Sequence, residues 1–144
     1  MSQVIHSQSA PRPVGAYPHA RRVGNLLFLS GVGPRSPLDN SIPGNVHDAD
    51  GKLVAYDIEA QCRQVFANVK AVLESAGAQW RDLVDVTVYL TDMTADFAVY
   101  NRLYAEYFAG VDAARTTLGI TALPTPIAIE LKCIAAVGTS TGTL

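Results

Sequence analysis

The sequence predicts a single α+β domain over residues 1–144, in which two helices cover one face of a mostly antiparallel sheet. Residues 58–76 and 94–110 repeat apolar side chains at steps of three and four, as amphipathic helices do. Short apolar segments, two of which alternate strictly with polar residues, precede, separate and follow these helices, as strands do. The predicted order is therefore β-β-α-β-α-β-β, without an internal repeat or a linker.

The N-terminal part of the chain predicts an extended arm followed by a hairpin. Three prolines and a glycine within residues 10–18 exclude a helix and favour a stiff, extended chain. Residues 19–23 and 26–31 are typical of two short strands, with the pair Gly24-Asn25 as the turn. Residues 35–55 are rich in Pro, Asn, Asp, Ser and Gly and predict a long loop.

Capping residues indicate the bounds of the two helices. Asp57 is a favourable N-cap for the first helix, and Gly77 ends it. Thr94 is the expected N-cap of the second helix, which ends near Gly110, and residues 83–91 predict the strand between the helices. The apolar stripes that we expect to be buried consist of Ile58, Cys62, Val65, Phe66, Val69, Val72 and Leu73 on the first helix, and Phe97, Tyr100, Leu103, Tyr104 and Tyr107 on the second.

Charged residues interrupt the apolar pattern of the last two strands. Residues 116–121 and 127–137 favour extended structure, and two prolines between them predict a stiff loop joining two antiparallel strands. Arg115 stands at the start of the first strand, and Glu130 stands early in the second. Ions in such strands need partners or a water-lined cleft. Either these ions neutralise each other or a neighbouring subunit, or Arg115 binds an anion while Glu130 acts on a water molecule.

Composition limits the classes of function that the chain can have. It is 49% hydrophobic and 17% charged, which is apolar for a small domain and predicts contacts between subunits. A net charge of −2 without a basic cluster argues against nucleic-acid binding. No segment approaches the roughly 20 apolar residues of a membrane span, and residues 1–6 lack the features of a secretion signal. Cys62 and Cys133 are expected to be buried thiols of a cytoplasmic protein.

The sequence has no motif for a cofactor or a metal ion. Gly31 and Gly33 fit neither a Walker loop nor a dinucleotide-binding fingerprint, and the three histidines lie too far apart to predict a metal site. Ser30 lacks the Gly-x-Ser-x-Gly elbow of serine hydrolases. We interpret Lys132 as a charge partner of Glu130, two residues away along the strand, rather than as a Schiff-base lysine. The remaining possibility is an acid/base site without a cofactor.

The C-terminal strands also carry a resemblance to a known family. Ala-Ala-Arg-Thr-Thr-Leu at residues 113–118, Ala-Leu-Pro at 122–124 and Ile-Glu-Leu-Lys at 129–132 resemble the signature of the RidA (YjgF) family of imine and enamine deaminases. The interval between Arg115 and Glu130 matches the family pattern without a gap. The resemblance then extends over most of the chain.

This resemblance implies a fold, an assembly and a site. The fold would be chorismate-mutase-like, and three copies would form a ring, or two such rings a hexamer, with the sheets closing a central barrel and ligand clefts between subunits. Glu130 and Arg115 would be the catalytic residues. The substrate-binding residues would be Tyr17, Ser30, Gly31 and Asn101, and the hydroxyl of Thr117 could complete the clamp on the substrate.

The implied reaction is hydrolysis of a 2-imino or 2-enamino acid without a cofactor. Arg115 would hold the substrate carboxylate through two parallel hydrogen bonds. Glu130 would move protons for the water that attacks the imine carbon, and ammonia and a 2-oxo acid would be released. The alternative is a metabolite-binding or chaperone-like trimer without catalysis. A ribonuclease role has been attached to relatives, but the acidic charge balance argues against it.

The choice of substrate depends on finer features. The long loop at residues 35–55, the Arg-Thr-Thr run and Lys132 resemble the 2-aminomuconate deaminase branch, which makes 4-oxalocrotonate during aromatic-compound catabolism. The general alternative acts on small imines such as the one formed from 2-aminoacrylate. Because 2-aminomuconate has a second carboxylate, its cleft should contain a second cation. The candidates are His19, Arg22 and Arg35, each of which could instead be a solvated surface charge.

Overall fold

A computed structural model describes residues 2–138 and shows two helices packed on one face of a six-stranded sheet, which confirms the predicted α+β architecture. In chain order the elements are β1 (Ser2–Ile5), β2 (Ala20–Val23), β3 (Leu26–Leu29), β4 (Val46–His47), β5 (Leu53–Ala55), α1 (Ile58–Ser75), β6 (Leu83–Leu90), α2 (Met93–Phe108), β7 (Ala114–Gly119) and β8 (Ile129–Ala136). The two short strands β4 and β5 form a separate sheet. Among the described residues, no helix has the length and apolar character needed to span a membrane.

The order of strands in the large sheet is β1-β2-β3-β8-β6-β7. All neighbouring strands are antiparallel except β6 and β7, which are parallel. The last two strands run in opposite directions, as the sequence predicts. They are not bonded to each other, however, because β6 lies between them.

The helices form where the apolar stripes predict them. Asp57 caps α1 by accepting a hydrogen bond from the backbone N–H of Ala60 at 3.1 Å, and Gly77 follows the helix with a φ of +77°. The predicted N-cap of α2 is wrong by two positions. Asp92 caps this helix by accepting from the N–H of Ala95 at 3.0 Å, and Thr94 lies inside the first turn. A carboxylate at this position also interacts favourably with the positive end of the helix dipole.

Two parts of the chain have more regular structure than the sequence indicates. Residues 2–5 form the edge strand β1 and pair with β2, although the sequence predicts only an extended arm there. The prolines of the arm begin only at Pro11, so they do not prevent backbone pairing by the residues before them. The predicted loop at residues 35–55 contains the paired strands β4 and β5.

The two faces of the large sheet differ in their surroundings. The face under α1 and α2 carries the core, including Leu27, Val88 and Leu131, which are all fully buried. The opposite face carries apolar side chains that remain partly exposed, among them Val23 and Leu26, which are paired in register. An exposed apolar sheet face of this kind is typical of a surface that contacts another protein chain.

Candidate active site

Glu130 lies in a cleft between the N-terminal arm, the segment that follows β3 and the loop that precedes β8. Its neighbours along β8, Ile129 and Leu131, are buried under the helices, so the alternation of the strand turns Glu130 to the opposite face. The cleft has a volume of about 150 Å³. Its walls include Tyr17, Gly31, Gly33, Arg35, Thr125 and Glu130.

The carboxylate of Glu130 is half-buried and makes no hydrogen bond or ion pair with another group among residues 2–138. Burial raises the pKa of this carboxyl group, because a charge that loses hydration is disfavoured. Lys132 is not its charge partner, contrary to our interpretation of the sequence. Its Nζ donates instead to the carbonyl oxygen of Leu29. Leu29 is the last residue of β3 and follows the last residue of that strand that is paired with β8. Glu130 is therefore suited to accept a proton from a water molecule.

Gly31 leaves the space that the Glu130 carboxylate occupies. A Cβ atom at position 31 would lie 2.8 Å from Oε2 and 3.1 Å from Cδ of Glu130. The adjacent residues hold this approach in place, since Val32 and Leu131 exchange two backbone hydrogen bonds of 2.8 and 2.9 Å. The close contact between this backbone and the carboxylate thus requires a residue without a side chain at position 31.

Tyr17 and Ser30 lie near the same cleft. Tyr17 is on its wall, and its hydroxyl accepts a hydrogen bond from the backbone N–H of Val14 at 3.3 Å. The hydroxyl of Ser30 donates to the carbonyl oxygen of Pro18 at 2.7 Å, and its N–H donates to the carbonyl oxygen of His19 at 3.0 Å. Ser30 therefore ties the arm that carries Tyr17 to the end of β3.

Two buried amides of α1, Gln61 and Asn68, hold the loops that bound the cleft. Gln61 Oε1 accepts from the backbone N–H of Ala128 at 2.8 Å. Asn68 Nδ2 donates to the carbonyl oxygens of Gly33 and Arg35, each at 2.8 Å. Neither residue is among those that the sequence pattern predicts for the site. The available signal was an amide side chain within the apolar stripe of the helix, where a buried polar group needs a partner.

Arg115 lies elsewhere, between β7 and α2. One of its terminal nitrogens, Nη1, donates to Asn101 Oδ1 at 2.8 Å. Its guanidinium carbon lies 4.7 Å from the ring centroid of Tyr104 and 5.5 Å from that of Tyr100. The hydroxyls of Tyr100 and Thr117 share a hydrogen bond of 3.0 Å. The cation is thus oriented by aromatic faces and one amide, and no carboxylate among the described residues forms an ion pair with it.

The side chains of Arg115 and Glu130 leave the sheet on opposite faces. In the strand ladder, Arg115 is opposite Val86, which is buried under the helices, whereas Glu130 is opposite Tyr89. Because side chains alternate along a strand, positions 86 and 89 face opposite sides. The structure thus collects Tyr17, Ser30, Gly31 and Glu130 in one group, and Asn101, Arg115 and Thr117 in a second. Within the described part of one chain, the two groups therefore lie on opposite faces of the sheet and do not meet.

The three cations considered for a second carboxylate have different surroundings. Arg35 lies on the wall of the Glu130 cleft. Both ring nitrogens of His19 are engaged, since Nδ1 accepts from the N–H of Ser7 at 3.0 Å and Nε2 donates to the carbonyl oxygen of Pro11 at 2.8 Å. Arg22, on β2, is not on the wall of this cleft. Within residues 2–138, no group of three or more His, Cys, Asp or Glu side chains is arranged to hold a metal ion.

Comparison with known proteins finds similarity along nearly the whole chain. The sequence model of the endoribonuclease L-PSP family matches residues 7–137. A RutC family protein of Pyrococcus horikoshii is 42% identical over 135 residues, which are 94% of this chain and 98% of that protein. The chloroplastic Reactive Intermediate Deaminase A of Arabidopsis thaliana is 36% identical over 133 residues, 92% of this chain and 65% of that protein. The crystal structure of E. coli TdcF with bound serine matches with a TM-score of 0.79 and 30% identity, covering 93% of this chain and 98% of that chain.

Proposed function

Since the chain belongs to the endoribonuclease L-PSP (RidA/YjgF) family, we propose that it is a deaminase that hydrolyses 2-imino and 2-enamino acids without a cofactor. The name of the Arabidopsis relative, Reactive Intermediate Deaminase A, supports this class of activity. The observation that carries the proposal is the half-buried carboxylate of Glu130, which faces a cleft and has no hydrogen-bond or ion-pair partner among residues 2–138. We further propose that the protein works in the cytoplasm, where the free thiols of Cys62 and Cys133 remain reduced.

The proposed reaction needs proton transfer and positioning rather than a metal or an organic cofactor. A protonated imine already has an electrophilic carbon, and Glu130 takes a proton from the water whose oxygen bonds to that carbon. Glu130 returns this proton to the nitrogen of the resulting carbinolamine and then takes the proton of its hydroxyl as the C–N bond breaks. Ammonia leaves together with a 2-oxo acid, and Glu130 passes its proton to ammonia or solvent, which regenerates the carboxylate. One well-positioned carboxylate typically accelerates such a step by about 10²–10⁴-fold.

Arg115 has a separate part in this proposal, which is to hold the carboxylate of the substrate. Its planar guanidinium matches a carboxylate with two parallel hydrogen bonds. Because Arg115 and Glu130 of one chain face opposite sides of the sheet, we propose that each site takes Glu130 from one subunit and Arg115 from its neighbour. Asn101 and the two tyrosines near Arg115 would then orient the fork toward the neighbouring cleft.

An assembly of identical subunits is the partner that this arrangement needs. We propose a ring of three copies, or a dimer of such rings. The strand that carries Arg115, β7, is at the edge of the sheet, and its residues are mostly exposed. The partly exposed apolar face that includes Val23 and Leu26 would be covered in the same assembly. We propose neither a nucleic acid nor a membrane as a partner, and the net charge of −2 offers no basic surface for RNA.

For the substrate we propose 2-aminomuconate, which would be converted to 4-oxalocrotonate and ammonia. The general alternative is the reactive imine formed from 2-aminoacrylate. A site for small 2-amino acids and their imines is supported by the E. coli relative, which was crystallised with bound serine. The preference for the longer substrate rests on Arg35, a cation on the wall of the Glu130 cleft.

The experiment that tests this function measures ammonia release from freshly generated 2-aminomuconate and 2-aminoacrylate, with and without the protein. We expect faster release in the presence of the protein, and a higher kcat/KM for 2-aminomuconate. If neither substrate reacts faster than it does spontaneously, the protein is not this deaminase. The second candidate, a metabolite-binding trimer without catalysis, then remains, since Arg115 could hold a 2-oxo acid without turnover.

A further inference from the structure

Arg35 is a half-buried cation whose charge is not neutralised within the described part of the chain. Its Nη2 donates to the carbonyl oxygen of Arg12 at 2.5 Å, and its Nη1 donates to Asn40 Oδ1 at 3.0 Å. Both acceptors are neutral, and no carboxylate among residues 2–138 forms an ion pair with it. Two of the five guanidinium N–H donors are used in this way, which leaves three for another group.

The position of Arg35 is fixed by the core rather than by a free loop. Asn68, which is 1% exposed, donates to the carbonyl oxygens of both Gly33 and Arg35 at 2.8 Å. Gln64 in turn donates to the Oδ1 atom of Asn68 at 2.9 Å. The backbone of Arg35 is therefore attached to α1 through the buried amide of Asn68, both of whose N–H donors are used. The guanidinium group is held separately by its hydrogen bonds to Arg12 and Asn40. A cation fixed at both ends loses little further freedom when it binds an anion.

Arg35 also shares its surroundings with the proposed reacting centre. It lies on the wall of the 150 Å³ cleft that contains Glu130, and on the wall of an adjoining cavity of about 40 Å³. Tyr17, Gly31 and Gly33 are common to both walls. Arg35 and Glu130 line the same cleft and do not form an ion pair with each other.

We propose that Arg35 is a specificity-determining residue that binds a second, distal anionic group of the substrate. This inference rests on the proposed function for the reacting end of the ligand, where Glu130 acts on the C=N carbon. The substrate class that fits is a dicarboxylic 2-imino or 2-enamino acid. Its first carboxylate would be held by the neighbour's copy of the Arg115 clamp, and its second would accept two hydrogen bonds from Arg35.

The test measures binding rather than catalysis, by isothermal titration calorimetry on the full-length protein. The probes are 2-oxoglutarate, a dicarboxylic 2-oxo acid, and 2-oxopentanoate, which has the same chain length but no second carboxylate. The wild type is expected to bind 2-oxoglutarate about tenfold more tightly or better, which is the effect of one hydrogen-bonded charge pair. Arg35→Gln should abolish this preference, because it should weaken the binding of 2-oxoglutarate at least tenfold more than the binding of 2-oxopentanoate.

A matched control is Arg22→Gln, since Arg22 also donates to a backbone carbonyl oxygen, that of Gly24, but lies off the cleft wall. It should retain the wild-type preference. If Arg35→Gln fails to fold, as judged by its melting curve, Arg35→Lys keeps the charge and loses the fork, and should reduce the preference severalfold. Equal affinity of the wild type for both probes, or an undiminished wild-type preference in the variant of Arg35 that folds, would overturn the proposal.

The outcome for Arg35 can be separated from that for the proposed function. If the wild type prefers 2-oxoglutarate through Arg35 but releases no ammonia from any imine, the binding assignment stands and the deaminase is rejected. If it deaminates imines but binds both probes equally, the deaminase stands and the role of Arg35 is rejected.

Discussion

Arg115 and Glu130 stand on the two strands that flank β6, and their side chains project to opposite faces of the sheet. Each is an ion without an ion-pair partner among the described residues. They therefore do not neutralise each other within one chain, which excludes one half of the first interpretation, that they neutralise each other or a neighbouring subunit. A shared site requires two copies of the chain, and this requirement has consequences that can be measured.

Glu130→Gln tests the proposed base. Glutamine keeps the shape of the side chain but cannot accept a proton, so kcat should fall by about 10²–10⁴-fold. Binding of a 2-oxo acid, measured by calorimetry, should persist because Glu130 does not hold the substrate carboxylate. Wild-type turnover in this variant would rule out Glu130 as the base.

The pH dependence follows from the raised pKa of Glu130. Burial is the cause of this shift, so the carboxyl group remains protonated to a higher pH than an ordinary glutamate. As the pH falls through this raised pKa, Glu130 becomes protonated and kcat/KM should fall. The acid limb of the pH profile, which is this fall in kcat/KM at low pH, should have its midpoint above the pKa of an ordinary glutamate. The residual activity of Glu130→Gln should lack this limb. An acid limb at the ordinary glutamate pKa would contradict the assignment.

The same shift makes a separate prediction for stability. Since the folded-state pKa is above the unfolded-state value, ionised Glu130 disfavours folding at pH values above the folded pKa. Glu130→Gln should therefore be more stable than the wild type near neutral pH. This advantage should disappear as the pH falls below the unfolded-state pKa, where Glu130 is protonated in both states. Thermal melting of both proteins across this pH range provides the measurement.

Gly31→Ala tests the close approach of the backbone to the carboxylate. The added Cβ would lie 2.8 Å from Glu130 Oε2, and the flexible end of the glutamate would have to move aside. A displacement of about 1 Å at a catalytic group can cost about 10²-fold in rate, so kcat/KM should fall severely with little loss of stability. Gly51→Ala is a poor control because its φ is +80°. Gly119→Ala serves better, because it adds the same atom where the nearest neighbours, Met93 Cε and Cβ, lie at ordinary contact distances of 3.6 and 3.7 Å. Unchanged kcat/KM in Gly31→Ala would show that the position of the carboxylate is not critical.

Much of the fold could be predicted because the local signals and the tertiary contacts agree. The alternation of β8 predicts which residues are buried, and Asp57 and Gly77 mark the ends of α1 correctly. The N-cap of α2 was missed because Asp92 and Thr94 are both favourable capping residues, and local sequence does not decide between them. β1 was missed because its pairing with β2 is a contact between distant residues that no local pattern encodes.

The site was harder to predict than the fold for a related reason. The sequence identifies Arg115 and Glu130 as ions in apolar strands, but their faces depend on how β7 and β8 are aligned with β6, which only the folded sheet determines. It offers Lys132 as a partner of Glu130, whereas the lysine reaches Leu29 on the adjacent strand. It likewise gives His19 and Arg35 equal standing. The structure distinguishes these two candidates, because both ring nitrogens of His19 are engaged in hydrogen bonds, whereas Arg35 lies on the wall of the Glu130 cleft.

Complementation between two inactive variants tests the central claim most directly. Arg115→Lys loses the bidentate fork and Glu130→Gln loses the base, so each alone should have severely reduced kcat/KM. If the two residues of a site come from different subunits, random assembly of equal amounts of both variants gives about one quarter of the sites an intact pair. The mixed assembly, made by co-expression, should therefore recover about one quarter of the wild-type ammonia release. Activity no higher than the mean of the two separate variants would show that the two residues do not meet across a subunit interface.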